Sequence, residues 1–278
     1  MKFIYLIILF AAIQFPQPTF GNDTENDSTQ CLPEMIVDDI VLATHTLNYA
    51  GNEIISLEHY NLLHIGTVLG VTFLSSFADK PLRTQFSDIE RTYSTDKIAS
   101  YANEYGNLLV PAALTGGLYF GGLLFKNNEI RTTGRILGEA LIIGGIINSA
   151  GKLIIGRARP YLNEGNGTFR PFHWGDERWS FPSGHTTVAF TVSGVLSARI
   201  KRWWASAALY SIATCTGLTR IYYDKHWFSD VVMGAILGTF ASRIALNAEE
   251  SRSGRTKEKT AGWYLSPTPQ GLALTFNF

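Results

Sequence analysis

Three short clusters hold the residues best suited to chemistry: Lys152 to Pro160 (Lys-Leu-Ile-Ile-Gly-Arg-Ala-Arg-Pro), Pro182 to His185 (Pro-Ser-Gly-His) and Arg220 to Asp230 (Arg-Ile-Tyr-Tyr-Asp-Lys-His-Trp-Phe-Ser-Asp). They supply the cations Lys152, Arg159 and Arg220, the histidines His185 and His226, a hydroxyl beside a glycine at Ser183-Gly184, and the carboxylate of Asp230 four residues after the second histidine. Arginine offers a planar fork that matches two oxygens of a tetrahedral oxyanion, and lysine offers a mobile point charge. Ser183 and Gly184 stand before an apolar helical run, Thr186 to Ser197. A helix start presents free N–H groups and partial positive charge, and glycine lets an anion come close to the backbone. Phosphoryl transfer needs mainly positioning and charge stabilisation, which this set supplies without a metal. Asp230, one helical turn after His226, is placed to hold the imidazole N–H, fixing the tautomer and raising its nucleophilicity. Each cluster alone has a plainer reading, as snorkelling cations, a turn, or an ordinary helix pair. Their joint occurrence in this order points to phosphate chemistry. In this reading Arg157 faces away from the cage or meets a second acidic group on a substrate. His173 is placed at the surface or the substrate rim.

The ordered set Lys152-x6-Arg159-Pro160, Pro182-Ser183-Gly184-His185 and Arg220-x5-His226-x3-Asp230 resembles the signature of the type 2 phosphatidic acid phosphatase (PAP2) and vanadium haloperoxidase superfamily, in its bacterial membrane-associated phosphatase branch. Thr219 stands where serine is usual and keeps the hydroxyl. The resemblance covers residues 100 to 247. It implies an all-α bundle with about five membrane-spanning or membrane-associated core helices. It also implies that His226 takes the phosphoryl group as a phosphohistidine, that Asp230 orients it, and that His185 protonates the leaving alkoxide. Lys152, Arg159, Ser183, Gly184 and Arg220 then bind the phosphate, with no cofactor and no metal. The substrates implied are phosphatidic acid, phosphatidylglycerol phosphate, isoprenyl pyrophosphate or the phosphates of lipid A. A soluble periplasmic non-specific acid phosphatase is the alternative. A vanadate-dependent haloperoxidase would use the same cage, but those chains are generally longer and carry extra helices.

Around these clusters the chain is organised as a leader 1–21, a polar lead with amphipathic helices 22–104, a core 105–247 and a tail 248–278. Met1-Lys2, the apolar Phe3 to Ile13 and Thr19-Phe20-Gly21 read as a secretory signal and its cleavage site. Apolar clusters from Val37 to Phe77 read as one or two amphipathic helices, and Ala78 to Glu104 as a polar connection with short helices. Five apolar helices follow: Tyr105 to Phe125, Ile136 to Ile155, His185 to Arg199, Trp203 to Thr219 and Asp230 to Leu246. The loop Tyr161 to Trp179, with Phe169, Phe172, Trp174 and Trp179, is the expected rim for substrate selection. Alternation at Leu272, Leu274, Phe276 and Phe278 is a strand signal, read as a short tail folded back on the domain. Cys31 and Cys215 lie in settings that disfavour a disulfide.

The 278 residues carry zero formal net charge, with 17% charged residues and no basic tract, which excludes a nucleic-acid partner. Tyr105 to Phe125 has no charge and is long enough to cross a bilayer. Mean hydropathy is only +0.06, diluted by polar ends. Lys126, Arg131 and Arg135, then Lys201 and Arg202, then Arg252, Arg255, Lys257 and Lys259 fall in alternate connections. Placing these on the cytoplasmic side satisfies the positive-inside tendency and puts all three clusters on the periplasmic face of an inner membrane.

Overall fold

The structure is a computed structural model that describes residues 32–56, 62–252, 262–268 and 271–277. The expected signal 1–21, Cys31 and the basic residues Arg255, Lys257 and Lys259 lie outside the described residues. Nine α-helices are described: α1 (Leu32–Ser56), α2 (Leu62–Ser76), α3 (Asp79–Ser87), α4 (Tyr93–Tyr105), α5 (Leu109–Leu124), α6 (Asn128–Ile155), α7 (Gly184–Ile200), α8 (Trp203–Tyr222) and α9 (Phe228–Arg252). The tail forms an antiparallel hairpin of β1 (Gly262–Thr268) and β2 (Gly271–Asn277), in which Trp263 pairs with Phe276 and Leu265 with Leu274.

Local chemistry sets the helix ends. Asn127 caps α6 by accepting from the Ile130 N–H at 3.1 Å, and Thr92 with Thr95 forms a reciprocal cap on α4. Gly156 ends α6 in the left-handed conformation, φ +59°. A Cβ there would lie 1.8 Å from the Arg170 carbonyl oxygen, so glycine is required on two counts. The expected helix from Tyr105 to Phe125 is α5, Leu109–Leu124, and α4 before it ends at Tyr105; the two meet at a 49° bend. Gly106 lies at the break, where a Cβ would come within 2.6 Å of the His185 carbonyl and of Thr216. The chain bends there to fit against α7 and α8.

The main core packs Ile136, Leu137, Ala140 and Ile143 of α6 with Val192 and Val195 of α7, Ala241, Ile244 and Leu246 of α9, and Ala50 of α1. Small residues bring α9 against α7. A Cβ on Gly238 would lie 2.3 Å from the Thr187 carbonyl, and one on Gly234 would lie 2.6 Å from the Ser183 carbonyl. A second cluster, Leu82, Ile221, Phe228 and Val231, ties α3 to α8 and α9.

Arg131 and Arg135, expected in an inter-helix loop, lie in the first turns of α6, and Arg135 is buried. It donates to Glu139 at 2.8 Å and Glu249 at 2.7 Å, and its Nε is 3.3 Å from Asp39. Thr46 donates to Glu139 at 2.9 Å, so α1 turns polar side chains inward. Its Val37, Ile40 and Val41 face outward. By length and composition α6 and α9 can cross a membrane, and α4 with α5 makes a third span if the bent pair is one. The other two expected core helices are present, but α7 has only 17 residues and α8 is rich in Ser and Thr.

Candidate active site

Antiparallel packing brings the three clusters to one end of the bundle. Lys152 lies in the last turn of α6, Ser183 precedes α7, Arg220 ends α8, and His226 and Asp230 flank the start of α9. A Cβ on Gly184 would lie 3.7 Å from Lys152 Nζ, so the first cluster's lysine meets the helix start of the second. Asn148, one turn before Lys152, donates to Thr187 Oγ1 at 2.9 Å and holds the two helices together. Burial, and after it the charges of Arg220, His226, Lys152 and Arg159, push the His185 pKa down to about 3.

The cations are held by neutral or acidic partners. Lys152 donates to the Trp179 carbonyl at 3.2 Å. Arg159 is buried and donates through Nε to the Asp176 carbonyl at 2.6 Å, through Nη2 to Asp176 Oδ1 at 2.6 Å and through Nη1 to the Lys225 carbonyl at 3.2 Å. Arg220 donates to Asn103 Oδ1 from α4, and its Nε is buried with no partner among the described residues. Ser183 is fully buried; its N–H donates to the Asp230 carbonyl at 3.0 Å, and its Oγ accepts from Thr186 at 2.9 Å.

His226 is 3% exposed, and its Nδ1 lies 2.6 Å from the Ser180 carbonyl. A carbonyl only accepts, so Nδ1 carries the proton and Nε2 keeps its lone pair. Asp230 Oδ2 is further from Nδ1, at 3.6 Å. The Ser180 carbonyl is thus the nearer partner of Nδ1, and Asp230 stands beside it as a charge partner. Asp230 accepts from Ser180 Oγ at 2.5 Å, the Trp227 N–H at 2.9 Å and Arg157 Nη1 at 2.5 Å. Burial pushes the His226 pKa down to about 4; Asp230 opposes this, and Arg159 and Lys152 press it further down.

Arg157 does not face a substrate. It is buried and joins Asp230 to Asp79 of α3, whose carboxylate it meets at 2.7 Å. Burial pushes the Asp79 carboxyl up, while Arg157 and the Ser229 N–H pull it down. Sequence reasoning missed Asp79, Asn103, Asp176 and Ser180. The first two lie in the polar lead, where nothing in the local pattern marks them. Asp176 sits in the rim loop, and Ser180 precedes Phe181-Pro182 closely enough to have been included.

The rim loop is pinned by Arg178, which makes two 2.7 Å bonds to Glu164. Phe172 and Trp174 are exposed, and Trp174 stacks edge-on with Trp179, centroids 6.0 Å apart. His173 sits in this loop, its Nδ1 3.8 Å from Glu177. Among the described residues, no three His, Cys, Asp or Glu side chains are grouped as a metal site.

Residues 133–253 match the model of the PAP2 superfamily. A lipid A 1-phosphatase from Porphyromonas gingivalis is 37% identical over 150 residues, 52% of this chain and 31% of that protein. An undecaprenyl-diphosphatase from Sulfolobus acidocaldarius is 25% identical over 159 residues, 55% of this chain and 68% of that protein. The chain spans less than half the length of the lipid A phosphatases it matches, 46% in a Rhizobium johnstonii relative. Among solved structures, Aquifex aeolicus LpxE aligns with a TM-score of 0.43 at 24% identity, covering 64% of this chain and 94% of that one.

Proposed function

The chain carries a PAP2 superfamily domain over residues 133–253, and on that premise we propose that it is a membrane phosphatase. In this reading it hydrolyses a phosphomonoester or pyrophosphate of a lipid through a phosphohistidine, without a metal. The observation that carries this is His226: its Nδ1 proton is committed to the Ser180 carbonyl at 2.6 Å, which leaves Nε2 its lone pair, and the ring lies within the field of Arg159 and Lys152.

The phosphate enters between Lys152, Arg159 and Arg220, with the N–H groups at the start of α7 as further donors. Arg220 Nε, buried and unmatched by protein, gains a partner when an oxyanion arrives. Nε2 of His226 attacks phosphorus as the bond to the leaving oxygen breaks. His185, neutral before substrate binds, takes up the proton carried by the arriving phosphate monoanion and gives it to that oxygen, so an alcohol or a phosphate departs rather than an alkoxide. His185, now neutral, takes a proton from water. The resulting hydroxide breaks the phosphorus–nitrogen bond and releases inorganic phosphate, restoring both histidines.

The lipid class rests on the relatives. They are a lipid A 1-phosphatase and an undecaprenyl-diphosphatase, and each name places the phosphate on a lipid. The exposed apolar helices of this chain fit such a substrate at a bilayer surface. Phosphate release from lipid A, undecaprenyl pyrophosphate, phosphatidic acid, phosphatidylglycerol phosphate and p-nitrophenyl phosphate, each with EDTA present, tests class and preference together. Turnover of one lipid well above the soluble ester is expected, unchanged by EDTA. Abolition by EDTA would end the metal-independent reading, and preference for the soluble ester would end the lipid one.

A further inference from the structure

Arg157 occupies no motif position, and Asp79 lies on α3, outside the matched segment 133–253. Both are buried, Asp79 completely. Arg157 divides its fork between two carboxylates, Nη1 to Asp230 Oδ1 at 2.5 Å and Nη2 to Asp79 Oδ2 at 2.7 Å. Its other contacts are the Asn166 carbonyl, at 2.9 Å from Nε and 2.6 Å from Nη2, and Ser229 Oγ at 2.8 Å from Nη1. The rings of Trp227 and Phe169 lie 5.7 and 5.8 Å from the guanidinium. Ser229 closes the circuit by donating its N–H and hydroxyl to Asp79, at 2.8 and 2.9 Å. The residue after Ser229 is Asp230, so Asp79 fixes the start of α9 as well as the cation.

Charge balance gives this arrangement a consequence. A buried guanidinium paired with one carboxylate is a neutral unit, but shared between two it leaves one surplus negative charge. Asp230 faces His226, and its Oδ2 is 3.6 Å from Nδ1. A carboxylate fully cancelled by arginine could not favour positive charge on that ring. One that keeps part of its charge can do so as the imidazole accepts phosphorus and becomes cationic.

We propose that Asp79 and Arg157 are positioning residues for His226: Asp79 shares the Arg157 cation, so Arg157 fixes the direction of Asp230 without cancelling its charge. This rests on the phosphohistidine reading above. It makes part of the lead before the PAP2 segment a component of the active site. Arg157 is thereby a fixed structural cation rather than a substrate contact.

The test uses the full chain in detergent micelles, with p-nitrophenyl phosphate turnover, inhibition by inorganic phosphate and acid-labile phosphoenzyme measured together. Asp79→Asn keeps the size of the side chain and an oxygen for the Ser229 N–H. It is expected to lower kcat roughly 10- to 100-fold, the usual scale for removing a partner that orients a reactive ligand, with KM and phosphate inhibition within about two-fold. In an Asp230→Asn background the same substitution should change kcat by less than about two-fold, because the residue it acts through is gone. A merely structural role would lower the melting temperature and cost the same factor in both backgrounds, and that result overturns the proposal. So does a kcat within about two-fold of wild type in Asp79→Asn. If that variant is not recovered folded, Arg157→Lys decides: lysine keeps the charge but cannot span two carboxylates, so kcat should fall with KM unchanged. An unimpaired Arg157→Lys enzyme overturns the proposal. Absence of phosphoenzyme in wild type would instead overturn the phosphohistidine reading beneath it.

Discussion

The nitrogen that His226 offers to a substrate is decided by what holds the other one, a backbone carbonyl 2.6 Å from Nδ1. In the proposed mechanism His226→Ala removes the attacking group, so turnover and acid-labile labelling vanish, while inorganic phosphate still binds to Lys152, Arg159 and Arg220. Label that persists in this variant, or that follows His185, would reverse the assignment. His185→Ala should cost an alkyl phosphate on the order of 10²–10⁴-fold and a p-nitrophenyl ester clearly less, since an acidic alcohol leaves without a proton. The pH dependence has a definite sign. His226 is depressed to about 4, below the ordinary value near 6.5, so it stays neutral and nucleophilic down to that pH and is lost only as pH falls through it. With the ionisation of the substrate divided out, kcat/KM should therefore show its acid limb near pH 4. In Asp230→Asn the limb should move lower, because Asp230 is what opposes the depression. A limb near 6.5 would contradict the buried neutral ring. The motif residues that the structure brings together here were legible in sequence because each is a charged or polar type at a fixed interval. The Ser180 carbonyl was not, since a backbone oxygen leaves no trace in residue type. Asp79 was not, since it meets Ser229 across 150 residues of chain.

At the scale of elements, glycines at helix ends and crossings set where the catalytic side chains stand. Gly156 turns the chain out of α6 between Lys152 and Arg159, and its left-handed backbone lets the Arg170 N–H reach its carbonyl at 2.8 Å. Gly156→Ala should destabilise the protein by about 2 kcal/mol or more, combining left-handed strain with a Cβ driven into Arg170. Thermal melting in the presence and absence of inorganic phosphate checks this, and a melting temperature equal to wild type would sink it. The five apolar helices were legible from runs of apolar residues, though α6 begins eight residues before the expected start at Ile136 and α9 runs six residues past the expected end at Leu246. The boundary near Tyr105 was legible too, from the change of polar to apolar texture there, but the 49° bend between α4 and α5 was not. Its cause is a long-range fit, the approach of Gly106 to His185 and Thr216. Arg131 and Arg135 were read as loop charges on the same local grounds. Only the partners Asp39, Glu139 and Glu249, from three different helices, explain why they sit in α6.

For the molecule as a whole, chemistry is confined to one end of the bundle and the exposed apolar surface lies along its length. Lys152, His185, Arg220 and Asp230 lie at four consecutive helix ends that alternate in direction, so the connections after α5 and α7 lie at the other end. Those connections carry Lys126, Lys201 and Arg202, with Trp203 and Trp204 exposed beside them. Phe73, Phe120 and Ile146, within α2, α5 and α6, are exposed. Lysine and arginine favour the cytoplasmic side, and tryptophan favours the membrane interface. In the proposed orientation the site therefore faces the periplasm, where the phosphate of a lipid in the outer leaflet can reach it. Gly167 lies in the rim loop with open space at its Cβ position, and Arg202 lies at the opposite end, so one cysteine at each place reports the two sides. In a Cys31→Ser, Cys215→Ser background expressed in a Gram-negative host, a membrane-impermeant maleimide should label Gly167→Cys in intact spheroplasts. Arg202→Cys should be labelled only after the inner membrane is opened. The reverse pattern would turn the site to the cytoplasm, and equal labelling of both before lysis would remove the protein from a spanning arrangement altogether.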